Sequence, residues 1–320
     1  MTAPAAPTTA APTLPVRRRR GPRRQRPVWD EQPTLVGRFG KTTVIVAIVL
    51  SVLFPLWVVV VTSLSDQQSI TEAGGLVIVP QGLTLRAYRE ILSGGVVTRA
   101  VLVSLGITFV GTAIALVVNV LAAYGLSRHN SFGHRVLLMA VLVTFLFTPP
   151  MIPRYLVVMN LGMLNSYWSL MLPSAVIAFN LVVMRAFFQG IPTELTDSAR
   201  VDGASEFRIL LSIVLPLSRA VVAVIGLFYA VHFWNSFFDA LLYMDDNTKW
   251  PLQLVLRAYV LQGQAIPGVN SMVSGLALAP VPTLAVKMAV VVIATVPVML
   301  VYPFVQKHFT KGVLIGAVKG

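Results

Sequence analysis

The sequence predicts an all-α integral membrane protein with six transmembrane helices and both termini in the cytoplasm. Three observations predict it: too little charge for a water-exposed surface, apolar stretches of membrane-crossing length, and a lopsided placement of the charge that remains. Of 320 residues, 56% are hydrophobic and only 12% charged, and the mean hydropathy is +0.78. Soluble domains carry about 25% charged residues, so roughly half of the charge expected of a soluble domain is missing. Cysteine is absent, which removes disulfide scaffolds, thiolate zinc sites and cysteine nucleophiles. The four histidines are too scattered to form a metal cluster.

A hydrocarbon layer about 30 Å thick is crossed by about 20 apolar residues in a helix. Spans of that kind run over about 42–65, 100–127, 136–156, 168–188, 213–238 and 286–306. The first follows a tail, residues 1–40, made of an Ala/Pro/Thr tract and an Arg cluster; such a composition cannot bury a core, and disorder is expected. Its 24 uncharged residues from Thr42 to Ser65 exceed a signal-peptide core and no small-residue cleavage pattern follows, so it reads as a retained anchor. The second span is charge-free from Ala100 to Ser127, the third from Val136 to Pro153 and the fourth from Trp168 to Met184. The fifth is charge-free from Ala220 to Phe238 and extends back to Ile213, with Arg219 snorkelling toward the interface. The sixth is charge-free from Met288 and is followed by a short tail, residues 307–320. Residues 258–286 are nearly as apolar, but Gly263, Pro267, Gly268, Gly275, Pro280 and Pro282 would leave broken backbone hydrogen bonds in lipid. That stretch reads as an exterior loop.

Charge placement supplies the orientation. The chain holds 25 Lys+Arg against 12 Asp+Glu, a formal +13. With a cytoplasmic N-terminus, 18 of the 25 basic residues fall inside and seven outside, while the acids divide six and six. The inside then carries +12 and the outside +1, as the positive-inside rule requires, and the basic excess needs no nucleic-acid partner. Gly40-Lys41-Thr42 imitates the end of a phosphate-binding loop, but Leu35 stands where that loop needs glycine and the tripeptide opens an apolar helix. No nucleotide site is expected here.

One cytoplasmic connection differs from the others. The loop 190–210 mixes both signs and carries helix punctuation: Pro192 and Thr193 form a start signal, and Glu194 and Asp197 sit in the first turn, where the helix dipole favours carboxylates. Gly203 can close that helix in a left-handed conformation, and Asp202 or Ser205 can begin the next. A short helix, a bend and a second short helix projecting from a membrane bundle form a handle for a partner.

This loop resembles the cytoplasmic loop of importer-type ABC permeases, whose pattern is E-A-A, three residues, Gly, nine residues, then I-x-L-P. Asp197-Ser198-Ala199 stands for the leading triplet, Gly203 for the glycine and Ile213-Val214-Leu215-Pro216 for the ending, with the spacing intact. Asp and Ser replace the first two residues of the triplet. The run from His232 to Leu241 with Trp250-Pro251-Leu252-Gln253-Leu254, and the ending from Gln306 to Gly320, are similar to carbohydrate-uptake permeases of the polysaccharide and aldouronate type.

The resemblance implies the type I ABC importer permease fold and a multi-pass protein of the bacterial plasma membrane. It also implies one half of a pore completed by a second, homologous permease, two ATP-binding subunits on the cytoplasmic side, and an external solute-binding protein that delivers sugar. No complete Walker A motif is present, so ATP and its magnesium belong to the partner subunits, and neither a cofactor nor a catalytic residue is expected in this chain. The docking residues are Glu194, Asp197, Ser198, Ala199, Arg200, Asp202, Gly203, Ala204 and Phe207. Intramembrane polar groups face a bundle interior, which nominates Asn180, Tyr229, His232 and Asn235 for the substrate path; Asn119 reads better as an interhelical hydrogen bonder. A secondary transporter would need acids within the spans, a membrane enzyme would need a nucleophile or an acid/base pair, and a structural subunit would not need the motif loop.

Overall fold

The computed structural model describes residues 35–80, 82–93, 95–128, 133–147, 149–261 and 283–316. Most of the Arg-rich tail and the Gly/Pro-rich stretch 262–282 lie outside the described residues, as do the last four positions. Among the described residues the secondary structure is helical, with one isolated bridge between Ser65 and Leu83. The chain divides into two units between Leu53 and Phe54.

Within the first unit, residues 35–53 are all helical and all exposed, apolar on nearly every face. A helix of that kind is suited to hydrocarbon. They belong to α1 (Leu35–Ser63), which is long and apolar enough to cross a membrane.

In the second unit the end of α1 is followed by α2 (Gln67–Glu72) and α3 (Arg86–Leu92). The connecting chain folds back on α1, where Trp57 donates its indole N–H to the Ile78 carbonyl at 2.9 Å and Val77 donates its amide to Thr62 at 3.0 Å. Ser63 and Tyr88 share a hydroxyl hydrogen bond of 2.7 Å. Val61, Ile70, Ala87 and Ile91 from this region pack in one core with Leu252, Val255, Val286 and Val290.

The larger core surrounds α4 (Val96–Ser127), a 32-residue helix that is also long and apolar enough to cross. After it come α5 (His134–Leu146), α6 (Met151–Asn160), α7 (Trp168–Met171) and α8 (Ala178–Gln189). Two expected spans are therefore interrupted. The third is split between α5, which ends at Leu146, and α6, which begins at Met151; Pro149 and Pro150 just ahead of α6 cannot donate backbone N–H groups. The fourth breaks between Met171 and Ala178, around Pro173.

The loop helices α9 (Thr193–Val201) and α10 (Glu206–Ile209) lead through a π-helical turn, Leu210–Val214, into α11 (Leu215–Leu217). At Ser218 the direction changes by 86° before α12 (Arg219–Trp234). The straight part of the fifth span thus begins at Arg219 instead of Ile213, because Pro216 removes a donor from the ladder just upstream. Next come α13 (Phe238–Tyr243) and α14 (Leu252–Leu256). The last helix, α15 (Thr283–Gly316), runs on past residue 306 and through Pro297 and Pro303, and its segment Leu284–Val301 has crossing length and composition.

Helices α4 and α12 pack through reciprocal gaps. A Cβ on Gly111 would lie 3.0 Å from the Phe233 ring, and one on Gly226 would lie 3.1 Å from Leu116. Each glycine admits the other helix's large side chain, the small-residue mode of close packing between membrane helices.

Candidate coupling loop and translocation face

Helix α9 begins at Thr193 directly after Pro192 and places Glu194 in its first turn. Its end forms the hydrogen-bond pattern of a Schellman cap: Gly203, at φ +81°, donates its amide to the Arg200 carbonyl at 3.0 Å, and Ala204 donates to Ala199 at 2.9 Å. Only glycine takes that backbone conformation without strain. Ser205, not Asp202, then caps α10, its hydroxyl accepting from the Arg208 amide at 3.4 Å.

A chain of charge-assisted hydrogen bonds ties this loop to the end of α4. Glu206 is its centre. The Tyr124 hydroxyl donates to one carboxylate oxygen at 2.5 Å, and the Arg200 guanidinium donates to the other at 2.9 Å. Arg128 donates to the Tyr124 oxygen at 2.6 Å and lies 3.4 Å from Glu206, with its guanidinium carbon 4.7 Å from the Tyr124 ring centre. Arg200 also pairs with Asp197 at 2.7 Å. The Tyr124 hydroxyl first, then the Arg200 guanidinium, hold the Glu206 carboxyl below the usual carboxylate range. The side chain of Arg185, on α8, joins that helix to the same end of α4, donating to the Leu126 carbonyl at 2.8 Å.

The loop has two faces. Thr196 is buried, and Ala199 and Ala204 pack on the main core, so these two alanines of the expected docking set lie against the chain's own body. Glu194, Asp197, Ser198, Arg200, Asp202, Gly203 and Phe207 are exposed. Between them stand two apolar residues that motif reasoning passes over, Leu195, 45% exposed, and Val201, 88% exposed. With Phe207, 62% exposed, they give an otherwise polar loop an apolar surface of the kind that marks a protein contact. Their signal in the sequence is only that α9 is too short to bury both of its sides.

The nominated path residues divide likewise. Asn180 is 2% exposed and Tyr229 fully buried, and Tyr229 serves the break between α7 and α8. The Tyr229 oxygen accepts the Ile177 amide at 2.9 Å, while Asn119 donates to the Ala175 carbonyl at 2.8 Å and to Ala115 in its own helix at 2.7 Å. Two backbone groups freed by the break thus find partners on α4 and α12, as a low-dielectric interior demands. The Asn180 amide nitrogen has no partner among the described residues. His232 and Asn235 are exposed instead, three residues apart on one side of α12, with the His232 ring edge-on to Phe233 at 5.4 Å. Arg154 of α6 donates to Asp239 at 3.0 Å and to the Ser174 hydroxyl at 3.2 Å.

The chain is similar over most of its length to known transport proteins. "Polygalacturonan/rhamnogalacturonan transport system permease protein YtcP" of Bacillus subtilis (strain 168) is 47% identical over 245 residues, which cover 76% of this chain and 85% of the relative. "Protein LplC" of the same organism is 46% identical over 244 residues, covering 76% and 81%. Among solved structures, a chain from the crystal structure of a bacterial ABC transporter involved in the import of the acidic polysaccharide alginate matches with a TM-score of 0.79 at 27% identity, covering 87% of this chain and 99% of that one. The family described as "Binding-protein-dependent transport system inner membrane component" matches residues 111–315, from the middle of α4 nearly to the end of α15. That match takes in the break between α7 and α8, the loop with its Glu206 latch and the exposed side of α12, and the chain belongs to this family.

Proposed function

We propose that this chain is the permease subunit of an ATP-driven importer in the bacterial plasma membrane and forms half of the pore for a sugar or oligosaccharide delivered by an external binding protein. Six membrane crossings, with both termini in the cytoplasm, are built from α1, α4, the pairs α5/α6 and α7/α8, α12 and α15. A second permease subunit completes the pore, and two ATP-binding subunits seat on the loop 190–210. The substrate is a polysaccharide fragment, in keeping with the polygalacturonan/rhamnogalacturonan permease relative and the alginate importer structure.

The carrying observation is the α9–Gly203–α10 element. It presents Glu194, Asp197, Val201 and Phe207 outward while Glu206 pins it to α4. A rigid handle so fixed converts a push by a partner into movement of a transmembrane helix, the hinge-and-shear type of coupling. His232 and Asn235, exposed and polar beside the membrane interior, stand on the translocation path; Asn180 and Tyr229 support it from behind. Replacing Val201 by Asp puts a charge at the centre of the docking surface without touching the core. The complete transporter carrying Val201→Asp is expected to lose its ATPase subunits on purification and to lose ATP-dependent saccharide uptake. Normal co-purification and uptake by that variant would overturn the docking role.

A further inference from the structure

The exposed polar side of α12 continues beyond Asn235 into a small array. Gln253, on α14, donates its amide to the Asn235 side-chain oxygen at 3.4 Å. One turn later, at the following π-helical turn, the Arg257 guanidinium lies 4.6 Å from the centre of the Phe237 ring. Gln253, Arg257 and Phe237 are half-buried, while Asn235 and His232 are exposed. Unlike Arg154, which is neutralised by Asp239, and Lys249, held by the Asn165 carbonyl at 3.0 Å and Asp246 at 3.8 Å, Arg257 has no carboxylate within ion-pair distance among the described residues. Stacking on one face immobilises a guanidinium and leaves its in-plane N–H groups free, the geometry that grips a carboxylate with two parallel hydrogen bonds. The neighbouring amides are neutral donors and acceptors suited to sugar hydroxyls.

We infer that Arg257, stacked on Phe237 and flanked by the Asn235–Gln253 amide pair, is a carboxylate-reading subsite that takes a uronate residue of an acidic oligosaccharide. This assignment rests on the importer reading, which puts the array at the outer end of the path. It gives the chain its own preference for acidic over neutral sugars, separate from whatever the external receptor selects.

The test uses the purified permease–ATPase complex without its binding protein, and measures binding of trigalacturonate and of its uncharged methyl ester by ligand-observed NMR. The wild-type complex is expected to favour the acid by about tenfold, a typical yield of one charge-assisted pair at a partly exposed site. Arg257→Gln should collapse that preference, and Arg257→Lys, which keeps the charge and loses the flat stacked fork, should restore only part of it. Equal loss of both ligands in Arg257→Gln would mark a packing role and overturn the subsite. So would an acid preference that survives the substitution, or a wild-type complex that binds neither ligand. If acid-selective binding holds but the complete transporter takes up no saccharide on ATP hydrolysis, the importer reading fails and the subsite stands.

Discussion

Replacing Glu206 by Gln keeps the side chain's shape and removes the charge that Tyr124, Arg128 and Arg200 all address. The side chain is 56% exposed, so solvent screening keeps its ion pairs at the low end, a few tenths of a kcal/mol each, and the buried-side hydrogen bond from Tyr124 contributes about 1 kcal/mol. The expected loss of stability is about 1–2 kcal/mol, and the larger consequence is mechanical: α9 is released from α4, so uptake falls more than ATPase binding does. The latch is also pH-dependent. Because the folded carboxyl is held below its ordinary range, its contribution is complete above that range and fades as pH falls through the depressed value. Thermal melts of wild type and Glu206→Gln should therefore differ at neutral pH and converge as the pH is lowered through the depressed value. A difference that persists unchanged into acid would show that the charge is not what stabilises the loop.

At the scale of elements, the break between α7 and α8 shows how side chains of other helices can satisfy backbone groups that an interrupted helix frees. Asn119 and Tyr229 come from helices 56 and 52 residues away in sequence to satisfy Ala175 and Ile177. Asn119→Leu should leave the Ala175 carbonyl unpaired and destabilise the bundle by about 1–3 kcal/mol, the usual consequence of a buried orphan. The readout is the melting temperature of the detergent-purified complex, and an unchanged value would mean that the break needs no support from α4. Here lies the boundary of what the sequence makes legible. The Gly203 bend is written locally, in a glycine placed after a short polar helix and before a serine cap, and the structure has it at φ +81°. The interruption at residues 172–177 is not written locally, because Leu172 to Ile177 is as apolar as its surroundings and Pro173 alone signals a kink. Its partners are remote, and only the folded bundle brings them together. Val201 escapes notice for a related reason: the motif names Ala199 and Gly203, whereas burial decides which side of α9 a partner can reach.

For the whole molecule, charge and chain direction make one statement about sidedness. Sorting the basic residues by loop gives +12 on one side and +1 on the other, an asymmetry that orients helices during insertion. In the proposed six-crossing topology the loop with Val201 faces the cytoplasm, and the turn that holds Asn247 faces outward. That turn is rigidly made: Asn165, at φ 56°, accepts the amides of Asp245 and Asp246 at 2.7 and 3.0 Å, so the connection between α6 and α7 is clamped to the one between α13 and α14. The absence of cysteine makes the orientation directly measurable, since one introduced thiol is the sole target for a membrane-impermeant maleimide. Val201→Cys, at an 88% exposed position in the chain alone, should be labelled in inverted vesicles stripped of the ATP-binding subunits and protected in intact cells. Asn247→Cys, exposed in its turn, should behave in the opposite way. Labelling of both positions from the same side would remove α12 as a crossing, and the reversed pattern would overturn the cytoplasmic placement of the loop 190–210, which needs an even number of crossings from α1 to α8.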